Sequence, residues 1–416
     1  MKYNKIENCR LCKAKSLKPI INFGDMSLSS AFPSKSKDYK SKTPMILVIC
    51  KNCKLTQLLH NYDLKDLYND EYGYRSGINK IMVSHLTKIT TQVKKIVNFK
   101  KGDYVLDIAS NDATLLKSYN LPNINYVGID PTVKKYKKFY SKEIKAQPKL
   151  FSKKEYLKIS SNNKAKAITS IAMFYDVQDP NKFTSEIHDI LDRDGIWIME
   201  MFYIPILLKY NAYDSVCHEH ITYLTYKHID YLCKKNNLRI FNSTLNSMNC
   251  GSIRYFICHN KAKFKSNHKA ISKCKKYEKS LEKDKIYFDF KTRIKKISRQ
   301  LNLLIKKINK KKETVHVYGA STKGNVLLQY SKLSKKNIPY AAERNPSKWT
   351  KKMPGSNIPI ISEETSRAMQ PNYYLVLPWH FKNEFIKREK NFLLNGGKLI
   401  FPLPKIKIFP KKNLKK

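Results

Sequence analysis

The two Cys-x-x-Cys pairs near the start of the sequence constrain the fold most strongly. Cys9 and Cys12 form the first pair, and Cys50 and Cys53 form the second. Each pair can present two thiolates to one ion, and two pairs complete the tetrahedral four-sulfur site that zinc prefers. A site with four protein ligands is closed, so it folds a segment rather than catalyses a reaction. The spacing therefore predicts a structural zinc-binding module over residues 1–70, against the alternative of four unligated cysteines.

The nine cysteines are expected to be reduced, because the sequence shows no export or membrane segment. The N-terminal end lacks the apolar run of a secretory signal. The most apolar stretch, Ile196 to Leu208, is too short to span a membrane and is interrupted by Glu200. We therefore expect a cytoplasmic protein without membrane attachment, in which spaced cysteines bind metal rather than form disulfides.

Lysine dominates the charge of the chain. Among 416 residues, Lys and Arg number 81 and Asp and Glu number 33, which gives a formal net charge of +48. This charge suggests nucleic-acid binding, but only ten of the basic residues are Arg, which reads phosphate and guanine with two hydrogen bonds. A solvated lysine surface is the alternative, and it is the one we favour. A hydrophobic fraction of 42% is enough for buried cores, and the length favours two or three domains.

Strands and helices alternate between residues 71 and 260. The predicted strands are 104–108, 126–129, 167–173 and 195–199, and the predicted helices are 114–119 and 181–191. This alternation predicts a mostly parallel sheet covered by helices. Ligands bind such sheets at the carboxyl ends of the strands, where residues 107–112 and Asp130 lie.

The loop after the first of these strands indicates the ligand. It contains no glycine where a dinucleotide fingerprint would place three, which disfavours a pyrophosphate pressed against the backbone. Asp130, after the second strand, is the residue type that accepts hydrogen bonds from both ribose hydroxyls. Together these features suggest S-adenosylmethionine (SAM), although an ordinary strand-loop-helix remains the alternative. The predicted cofactor-binding residues are Asp107, Ala109, Ser110, Asn111, Asp130 and Met173.

Residues 261–312 are rich in lysine, lack Gly and Pro, and are apolar at helical spacing, which predicts a long helix or a helical pair between two domains. A second α/β unit follows over residues 313–416. Its first strand, 314–318, leads into the loop 319–324, which contains Lys323 and Gly324. The loop departs from the P-loop pattern because Lys323 precedes the glycine. Contact with a diphosphate and a plain tight turn both remain open.

The run Cys217-His218-Glu219-His220 is the most unusual cluster in the chain. Its histidines are not spaced as in the HExxH motif of zinc proteases. A histidine near neutral pKa is a natural general base for a weak carbon or oxygen acid. A second metal site and buried structural histidines are the alternatives.

The order of these motifs, together with Asn249-x-Gly251-Ser252-x-Arg254, resembles the sugar C-methyltransferase family. Members of that family methylate C3 of nucleotide-linked 4-keto deoxysugars. The resemblance covers roughly residues 7–405. It implies an α/β protein with a small N-terminal zinc-binding module, a central Rossmann-like SAM-dependent methyltransferase domain and a C-terminal Rossmann-like domain. It also implies a small nucleotide-sugar substrate held between the last two domains.

The resemblance also implies roles for individual residues. His220 would be the base that removes the C3 proton, with Glu219 and Tyr74 beside the sugar. Tyr74, His218 or a water would stabilise the charge that develops on the C4 oxygen. Cys9, Cys12, Cys50 and Cys53 would bind zinc, and Asp107, Ser110, Asn111 and Asp130 would surround SAM. Asn249, Ser252, Arg254, Lys323 and Gly324 would contact the substrate.

Four positions depart from the family pattern. Ala109 and Ala113 replace glycines, which we expect to be tolerable only if their φ angles are negative. Cys217 and Cys250 replace residues near the expected sugar site, so these departures concern the identity of the sugar rather than the class of reaction. Two other functions stay open: a SAM-dependent O-methyltransferase of a nucleotide sugar or other glycan precursor, and a zinc-ribbon RNA-binding protein or RNA methyltransferase. We expect a monomer or weak homo-oligomer.

Overall fold

The N-terminal part of the protein is an antiparallel sheet. The computed structural model describes residues 2–34, 42–68 and 71–410. The first elements are β1 (Tyr3–Lys5), β2 (Leu17–Met26), β3 (Thr43–Cys50), β4 (Thr56–Leu58), β5 (His60–Tyr62), α1 (Leu64–Leu67) and α2 (Lys80–Ile96). Strands β2, β3 and β4 pair antiparallel, and β1 pairs with β5. The apolar run of β3 is almost wholly buried, which makes it the centre of this sheet.

A seven-stranded sheet occupies the middle of the chain. Its elements, with those between them, are β6 (Tyr104–Ile108), α3 (Thr114–Lys117), β7 (Asn125–Ile129), α4 (Val133–Tyr136), β8 (Ile144–Gln147), α5 (Lys153–Ser160), β9 (Ala165–Ile171), α6 (Pro180–Ile190), β10 (Leu191–Phe202), α7 (Ile204–Lys209), β11 (Thr222–Tyr223), α8 (Tyr226–Lys235), β12 (Leu238–Asn246) and β13 (Ser252–His259). The strand order is β12-β13-β10-β9-β6-β7-β8. Only β13 runs antiparallel to its neighbours. The order reverses between β6 and β9, which is where such sheets bind ligands.

The short strand β11 belongs to the N-terminal sheet and not to the seven-stranded one. Thr222 pairs with Gln57 and Tyr223 pairs with Thr56. Strand β11 begins two residues after His220. The Cys-His-Glu-His run therefore lies where the N-terminal sheet meets the seven-stranded sheet.

The predicted helical segment is a pair of helices, α9 (His268–Glu278) and α10 (Lys285–Lys310). The buried stripe of α10 includes Phe290, Ile294 and Leu301. From this helix Arg293 donates to the Leu208 carbonyl oxygen at 2.9 Å, and Ser298 donates to the Tyr330 carbonyl oxygen at 2.9 Å. Helix α10 therefore connects the middle and the C-terminal parts of the chain.

A second parallel sheet ends the described chain. Its region comprises β14 (Val315–Tyr318), α11 (Thr322–Tyr330), β15 (Ala341–Glu343), β16 (Ile360–Ser362), α12 (Glu363–Ala368), β17 (Tyr373–Val376), α13 (Lys382–Arg388), α14 (Lys390–Leu394), β18 (Lys398–Phe401) and β19 (Lys407–Phe409). The strand order is β16-β15-β14-β17-β18-β19, with β19 antiparallel. This is the Rossmann order, and it reverses between β14 and β17. The expected α/β architecture with two Rossmann-like sheets is thus confirmed.

One apolar core joins the three sheets. Buried residues as far apart in sequence as Cys50, Trp197 and Leu375 belong to the same contact cluster. A second cluster, around Val93, lies on the α2 side of the seven-stranded sheet. Within the described ranges, no helix is long and apolar enough to cross a membrane.

Candidate active site

The four N-terminal cysteines converge on one point. The sulfur atoms of Cys9 and Cys53 are 3.6 Å apart, as are those of Cys12 and Cys50, and all four lie within 4.8 Å of one another. Zinc–sulfur bonds of about 2.3 Å in a tetrahedron require sulfur separations of about 3.8 Å, so the site fits zinc. Contact with Cys53 lowers the pKa of the Cys9 thiol, and Gln57 donates to the same sulfur at 3.2 Å.

Both cysteine pairs have the same backbone turn. The amide of Lys13 donates to the Cys9 carbonyl oxygen at 3.0 Å, and the amide of Lys54 donates to that of Cys50 at 3.0 Å. Lys13 and Lys54 both have positive φ angles, of 61° and 65°. The two turns thus present their sulfur atoms to the centre in the same way. This arrangement supports the predicted structural zinc site and its four ligands.

A cavity of about 610 Å³ lies between the two parallel sheets. Its walls come from the loops after β6, β7 and β9, the segment around Tyr74, the Glu219–His220 turn, and the loops after β14 and β17. Both reversal points of strand order therefore open into one space. A cavity of this size lies within the range of small-molecule binding sites.

The loop after β6 is closed over the end of the sheet by Asp130. Its carboxylate accepts the Asn111 amide at 2.9 Å through Oδ2 and the Thr132 amide at 2.6 Å through Oδ1. Burial raises the pKa of Asp130, and the hydrogen bonds from Thr132 oppose that shift. The carboxylate is thus fixed in the position where a ribose would be held.

Asp107 lies beneath this loop at the end of β6. Thr169 donates to its Oδ1 at 2.6 Å. Burial raises the pKa of Asp107 to about 7. A cationic ligand beside it would restore the ionised form, and SAM carries a sulfonium and an ammonium group. The predicted positions Ala109, Ser110 and Met173 also line this end of the cavity.

The loop lies against the segment that precedes α2. The Ser76 amide donates to Asn111 Oδ1 at 2.9 Å, and the Gly77 amide donates to Asp112 Oδ2 at 3.0 Å. A Cβ atom at Gly77 would come within 2.6 Å of Asp112 Oδ2, so the segment can approach only with a glycine there. The residues around Tyr74 thereby form the wall of the cofactor end of the cavity.

The expectation of negative φ angles at the two alanines is wrong. Ala109 and Ala113 both have a φ of 61°, and Asn111 between them has a φ of 51°. This left-handed conformation costs an L-residue about 1–2 kcal/mol. Fixed hydrogen bonds impose it, because the Ala109 amide donates to the Ile129 carbonyl oxygen at 2.8 Å and the Ala113 amide to that of Ser110 at 2.9 Å.

His220 and Glu219 line the cavity, whereas His218 does not. His220 Nδ1 lies 2.8 Å from the Ser215 carbonyl oxygen and must donate to it, which leaves Nε2 as the proton acceptor. Burial, assisted by Lys323, lowers the pKa of His220 to about 3. His218 is fully buried against the edge of the Tyr62 ring, with a centroid distance of 4.8 Å.

The predicted substrate residues of the Asn-x-Gly-Ser-x-Arg element divide into two groups. Asn249 lines the cavity, but Ser252 and Arg254 do not. Ser252 donates to the Met248 carbonyl oxygen at 2.9 Å. The Arg254 guanidinium binds Glu200 with two nitrogens, at 2.8 and 2.7 Å. Arg254 therefore supports the cavity wall through Glu200 instead of reaching a ligand itself.

Glu200 is at the centre of a buried network that the sequence did not reveal. His85 from α2 lies 2.6 Å from its Oε1, and Asn246 donates to its Oε2 at 2.9 Å. His85 and Arg254 lower the pKa of Glu200 against the effect of burial. Both Glu200 and His85 line the cavity, so the network fixes α2 at the cofactor end.

The loop after β14 faces the other end of the cavity. Lys323 lines the cavity, and its buried Nζ has no hydrogen-bond partner among the described residues. Gly324 does not line it; a side chain at this position would clash with Leu377, so the glycine lets α11 pack on the loop after β17. Lys348 donates to the Ala320 carbonyl oxygen at 2.7 Å and its Nζ lies 4.2 Å from the centre of the Phe32 ring.

Glu343, at the end of β15, is a second cavity residue that sequence reasoning missed. Its Oε2 accepts the Ala320 amide at 2.8 Å, and its Oε1 accepts the Asn345 amide at 2.9 Å. A carboxylate directly after the second strand of an α/β unit is the same signal that identified Asp130. Sequence reasoning also missed Asp176, which follows the predicted strand 167–173 and lines the cavity.

Three family models match successive parts of the chain. The model described as "Putative zinc binding domain" matches residues 9–68, that described as "Methyltransferase domain" matches residues 82–242, and that described as "C-methyltransferase C-terminal domain" matches residues 247–404. The first match contains the four-cysteine centre, the second the loop after β6 and the Glu219–His220 turn, and the third the loop after β14.

One characterised protein matches over nearly the whole length. The C-methyltransferase NovU of Streptomyces niveus is 26% identical over 411 residues, which are 97% of this chain and 97% of NovU. Solved structures match more distantly. They include the mitomycin 7-O-methyltransferase MmcR, at 11% identity and a TM-score of 0.34 over 44% of this chain and 55% of that one. A SAM-dependent methyltransferase from Clostridium acetobutylicum matches at 14% identity and a TM-score of 0.31, over 42% and 89% of the two chains.

Proposed function

We propose that this SAM-dependent methyltransferase methylates the carbon next to the ketone of a nucleotide-linked 4-keto deoxysugar, a proposal supported by its similarity to a C-methyltransferase. The observation that carries the proposal is the orientation of His220. Its Nδ1 is committed to the Ser215 carbonyl oxygen, and its neutral ring lines a cavity shared by both parallel sheets. A base in that position can remove a proton from a carbon acid held between the sheets.

The cofactor end of the cavity is the part around Asp107 and Asp130. In this proposal Asp130 accepts hydrogen bonds from the ribose hydroxyls of SAM, and Asp107 lies beneath the amino-acid end. SAM supplies an electrophilic methyl group, for which a carbon nucleophile has only to be positioned in line. The hydrogen bond from the Ser76 amide to Asn111 ties the loop after β6 to the segment before α2.

The substrate end of the cavity is the part around Lys323. An unpartnered ammonium group in a buried position favours an anionic ligand, and the diphosphate of a sugar nucleotide is one. Lys323 also contributes to the low pKa of His220. Neutralisation of Lys323 by a bound diphosphate would therefore make His220 a stronger base only when the substrate is present.

The proposed division of labour follows the predicted domains. Residues 1–70 would bind zinc, residues 71–260 would bind SAM and carry the base, residues 261–312 would connect, and residues 313–416 would bind the nucleotide. Residues 411–416, at the end of the last of these, lie outside the described ranges. Glu219 and Tyr74, which line the cavity, would contact the sugar with Asn249.

Solvent deuterium exchange tests the proposal directly. The protein is incubated in D₂O without SAM, with a panel of dTDP- and GDP-linked 4-keto-6-deoxy sugars, and exchange at C3 is followed by mass spectrometry. We expect exchange with at least one sugar in the wild-type protein and loss of exchange in His220→Gln. The control variant is His268→Gln, because His268 is exposed at the start of α9.

The outcome also separates carbon from oxygen methylation. Removal of a hydroxyl proton leaves no deuterium on carbon, so methyl transfer without exchange would indicate an O-methyltransferase. Absence of both exchange and methyl transfer with every sugar of the panel would overturn the proposed substrate class. Binding of S-adenosylhomocysteine by His220→Gln, measured by calorimetry, shows that the variant is folded.

A further inference from the structure

Asp176 is a carboxyl group in the cavity wall to which the proposed reaction has so far given no role. It lies in the turn after β9 and lines the same cavity as His220. The Tyr68 hydroxyl donates to its Oδ2 at 2.9 Å. Its Oδ1 is shielded from solvent and has no partner among the described residues. One oxygen thus accepts a hydrogen bond, and a proton on this carboxyl group would have no acceptor among the described residues.

The surroundings of Asp176 favour the protonated form. Burial raises the pKa of Asp176 well above its usual range, and the Glu219 carboxylate adds to the shift. Glu219 is only 5% exposed, and its own Oε1 is also without a partner among the described residues. A neutral carboxylic acid accepts through one oxygen and donates through the other, which is the pattern that the Tyr68 contact leaves open.

The turn that carries Asp176 is joined to the turn that carries the base. Thr222 donates to the Tyr175 carbonyl oxygen at 3.1 Å. The ring of Tyr175 contacts the ring of His220 edge-on, with centroids 4.2 Å apart. The acid and the base are thus held on adjoining turns that face one space, as an acid–base pair acting on one carbonyl compound requires.

The other donors that the sequence suggested are less well placed. His218 does not line the cavity. Tyr74 lines it, but its side chain is 41% exposed and its hydroxyl lies 3.5 Å from Ser76 Oγ. His220 donates its only ring proton to the Ser215 carbonyl oxygen.

Asp176 and Asp214 both line the cavity with one carboxyl oxygen that has no partner among the described residues. Burial raises the pKa of both, but Lys323 opposes the shift at Asp214 whereas Glu219 adds to it at Asp176, so Asp176 is the better donor of the two.

We propose that Asp176, as a neutral acid, donates a hydrogen bond to the ketone oxygen of the substrate while His220 Nε2 removes the proton from the adjacent carbon. The electrons of the broken C–H bond form the carbon–carbon double bond of the enolate, and the carbonyl π electrons move to the oxygen that Asp176 faces. His220 gains the proton and becomes positively charged. Asp176 keeps its proton, so the step needs no further reactant.

This assignment rests on the proposed function, and it explains how a weak base can suffice. A histidine whose protonated form is disfavoured by burial removes a carbon-bound proton only if the enolate is strongly stabilised. Hydrogen-bond donors aimed at a developing oxyanion in a buried site are worth about 10²–10³ in rate. Asp176 with Tyr68 supplies such a donor at the substrate oxygen.

Two substitutions at one position distinguish a neutral acid from a carboxylate. Asp176→Asn keeps the shape, an acceptor for Tyr68 and a donor toward the cavity, whereas Asp176→Ala removes all three. We expect C3 deuterium exchange without SAM to fall about 10²–10³-fold in Asp176→Ala and no more than about 10-fold in Asp176→Asn. The control is Asp179→Asn, because Asp179 is an exposed helix cap for which Asn substitutes well.

Equal loss of exchange in Asp176→Asn and Asp176→Ala would overturn the assignment, because only an ionised carboxylate is mimicked by neither. Normal exchange in both variants would overturn it as well. A wild-type protein that exchanges with no sugar of the panel would instead refute the proposed function on which the assignment rests. Binding of S-adenosylhomocysteine shows in each case that the variant is folded.

The pH dependence of exchange gives a second readout. A carboxyl group that acts in its protonated form loses activity as pH rises through its raised pKa, so wild-type exchange should fall at high pH and Asp176→Asn should lack that fall. Other titratable groups around Asp176 are tyrosines, a thiol and a carboxyl: Tyr68, Tyr72, Tyr175, Cys217, Glu219 and Tyr223. An unchanged high-pH limb in Asp176→Asn would assign the limb to one of these and count against Asp176.

Discussion

The two parallel sheets hold the loop after their first strand in the same way, and the two loops face the same cavity. In the seven-stranded sheet, Asp130 accepts one amide from the loop after the first strand and one from two residues beyond itself. In the six-stranded sheet, Glu343 does the same with the amides of Ala320 and Asn345. The carboxylate after the second strand thus holds the first loop in both sheets, although the loops have unrelated sequences.

The difference between the sheets lies in the charged residues that each contributes to the cavity. Among the described residues that line the cavity, residues 71–260 contribute the carboxyl groups of Asp107, Asp130, Asp176, Glu200, Asp214 and Glu219 and one arginine, Arg75. Residues 313–410 contribute Lys323, Arg344, Lys348 and Arg388, together with Glu343, Glu363 and Glu384. The seven-stranded sheet therefore supplies an acidic wall, which favours a cationic ligand, and the six-stranded sheet a more basic one, which favours an anionic ligand.

Loss of zinc should impair ligand binding at both ends of the cavity, and so remove the difference between them. Cys50→Ser removes one of the four ligands, and structural zinc contributes about 10–16 kcal/mol of apparent binding free energy in small domains. We expect loss of zinc, unfolding of the N-terminal sheet and loss of binding of both S-adenosylhomocysteine and dTDP. Zinc content is measured by metal analysis and binding by calorimetry. Cys274→Ser, outside the cluster, should keep the metal, and a zinc-replete Cys50→Ser would refute the ligand set.

Removal of Asp130 should affect only the cofactor end. Asp130→Ala removes the charged acceptor proposed for the ribose hydroxyls, a contact worth about 1.5–3 kcal/mol or about 10–150-fold in the affinity for S-adenosylhomocysteine. The affinity for dTDP should not change. Glu343→Ala is the matched variant, with the opposite selectivity expected. If each substitution weakened both ligands equally, the cavity would not have two separate ends.

Removal of one ammonium group should affect only the other end. Lys323→Ala should weaken dTDP binding at least about 10-fold and reduce the dependence of that binding on salt, since a buried charge–phosphate contact is worth about 1.5–3 kcal/mol. Lys307→Ala removes the same charge from the exposed face of α10 and should leave dTDP binding unchanged. Equal effects of the two substitutions would mean that the overall field of the chain, not Lys323, attracts the nucleotide.

The smallest expected effect concerns the backbone of the two loops. Ala109→Gly relieves a positive φ of 61° and should stabilise the protein by up to about 1 kcal/mol, measured by denaturant unfolding. Gly319→Ala should do the reverse, because Gly319 has a φ of 84° and its Cβ would lie 2.7 Å from Pro378 Cγ. A destabilised Ala109→Gly would show that the alanine methyl contributes more by packing than its conformation costs.

The sequence predicts those parts of the site whose partners are close along the chain. The cysteine pairs and Asp130 follow from local spacing after a strand or turn. Arg254 could not be placed in this way, because its partner Glu200 lies on a neighbouring strand and its orientation depends on the register between them. Similarly, a single residue separates His218 from His220 in the sequence. The backbone turn at residues 215–220 decides which of the two histidines lines the cavity.

The positive φ angles of Ala109 and Ala113 also could not be predicted from the local sequence. The residue type argues against a positive φ, but the hydrogen bond from Ala109 to Ile129 fixes the loop across two strands. The sequence around Asp176 did not indicate a functional role, because an aspartate after a strand is common on protein surfaces. Its role depends on burial beside Glu219, which is distant in sequence.

The pairing of β11 with β4 has a consequence for how the chain reaches its native state. Thr222 and Tyr223 complete a sheet whose other strands are made long before them. Contacts between distant segments form late and slow folding. During synthesis, one edge of the N-terminal sheet therefore stays unpaired until most of the seven-stranded sheet has emerged, and the Glu219–His220 turn is joined to that sheet only when β11 pairs with β4. A truncated chain that ends before β11 would present this edge to other molecules, and such edges promote aggregation.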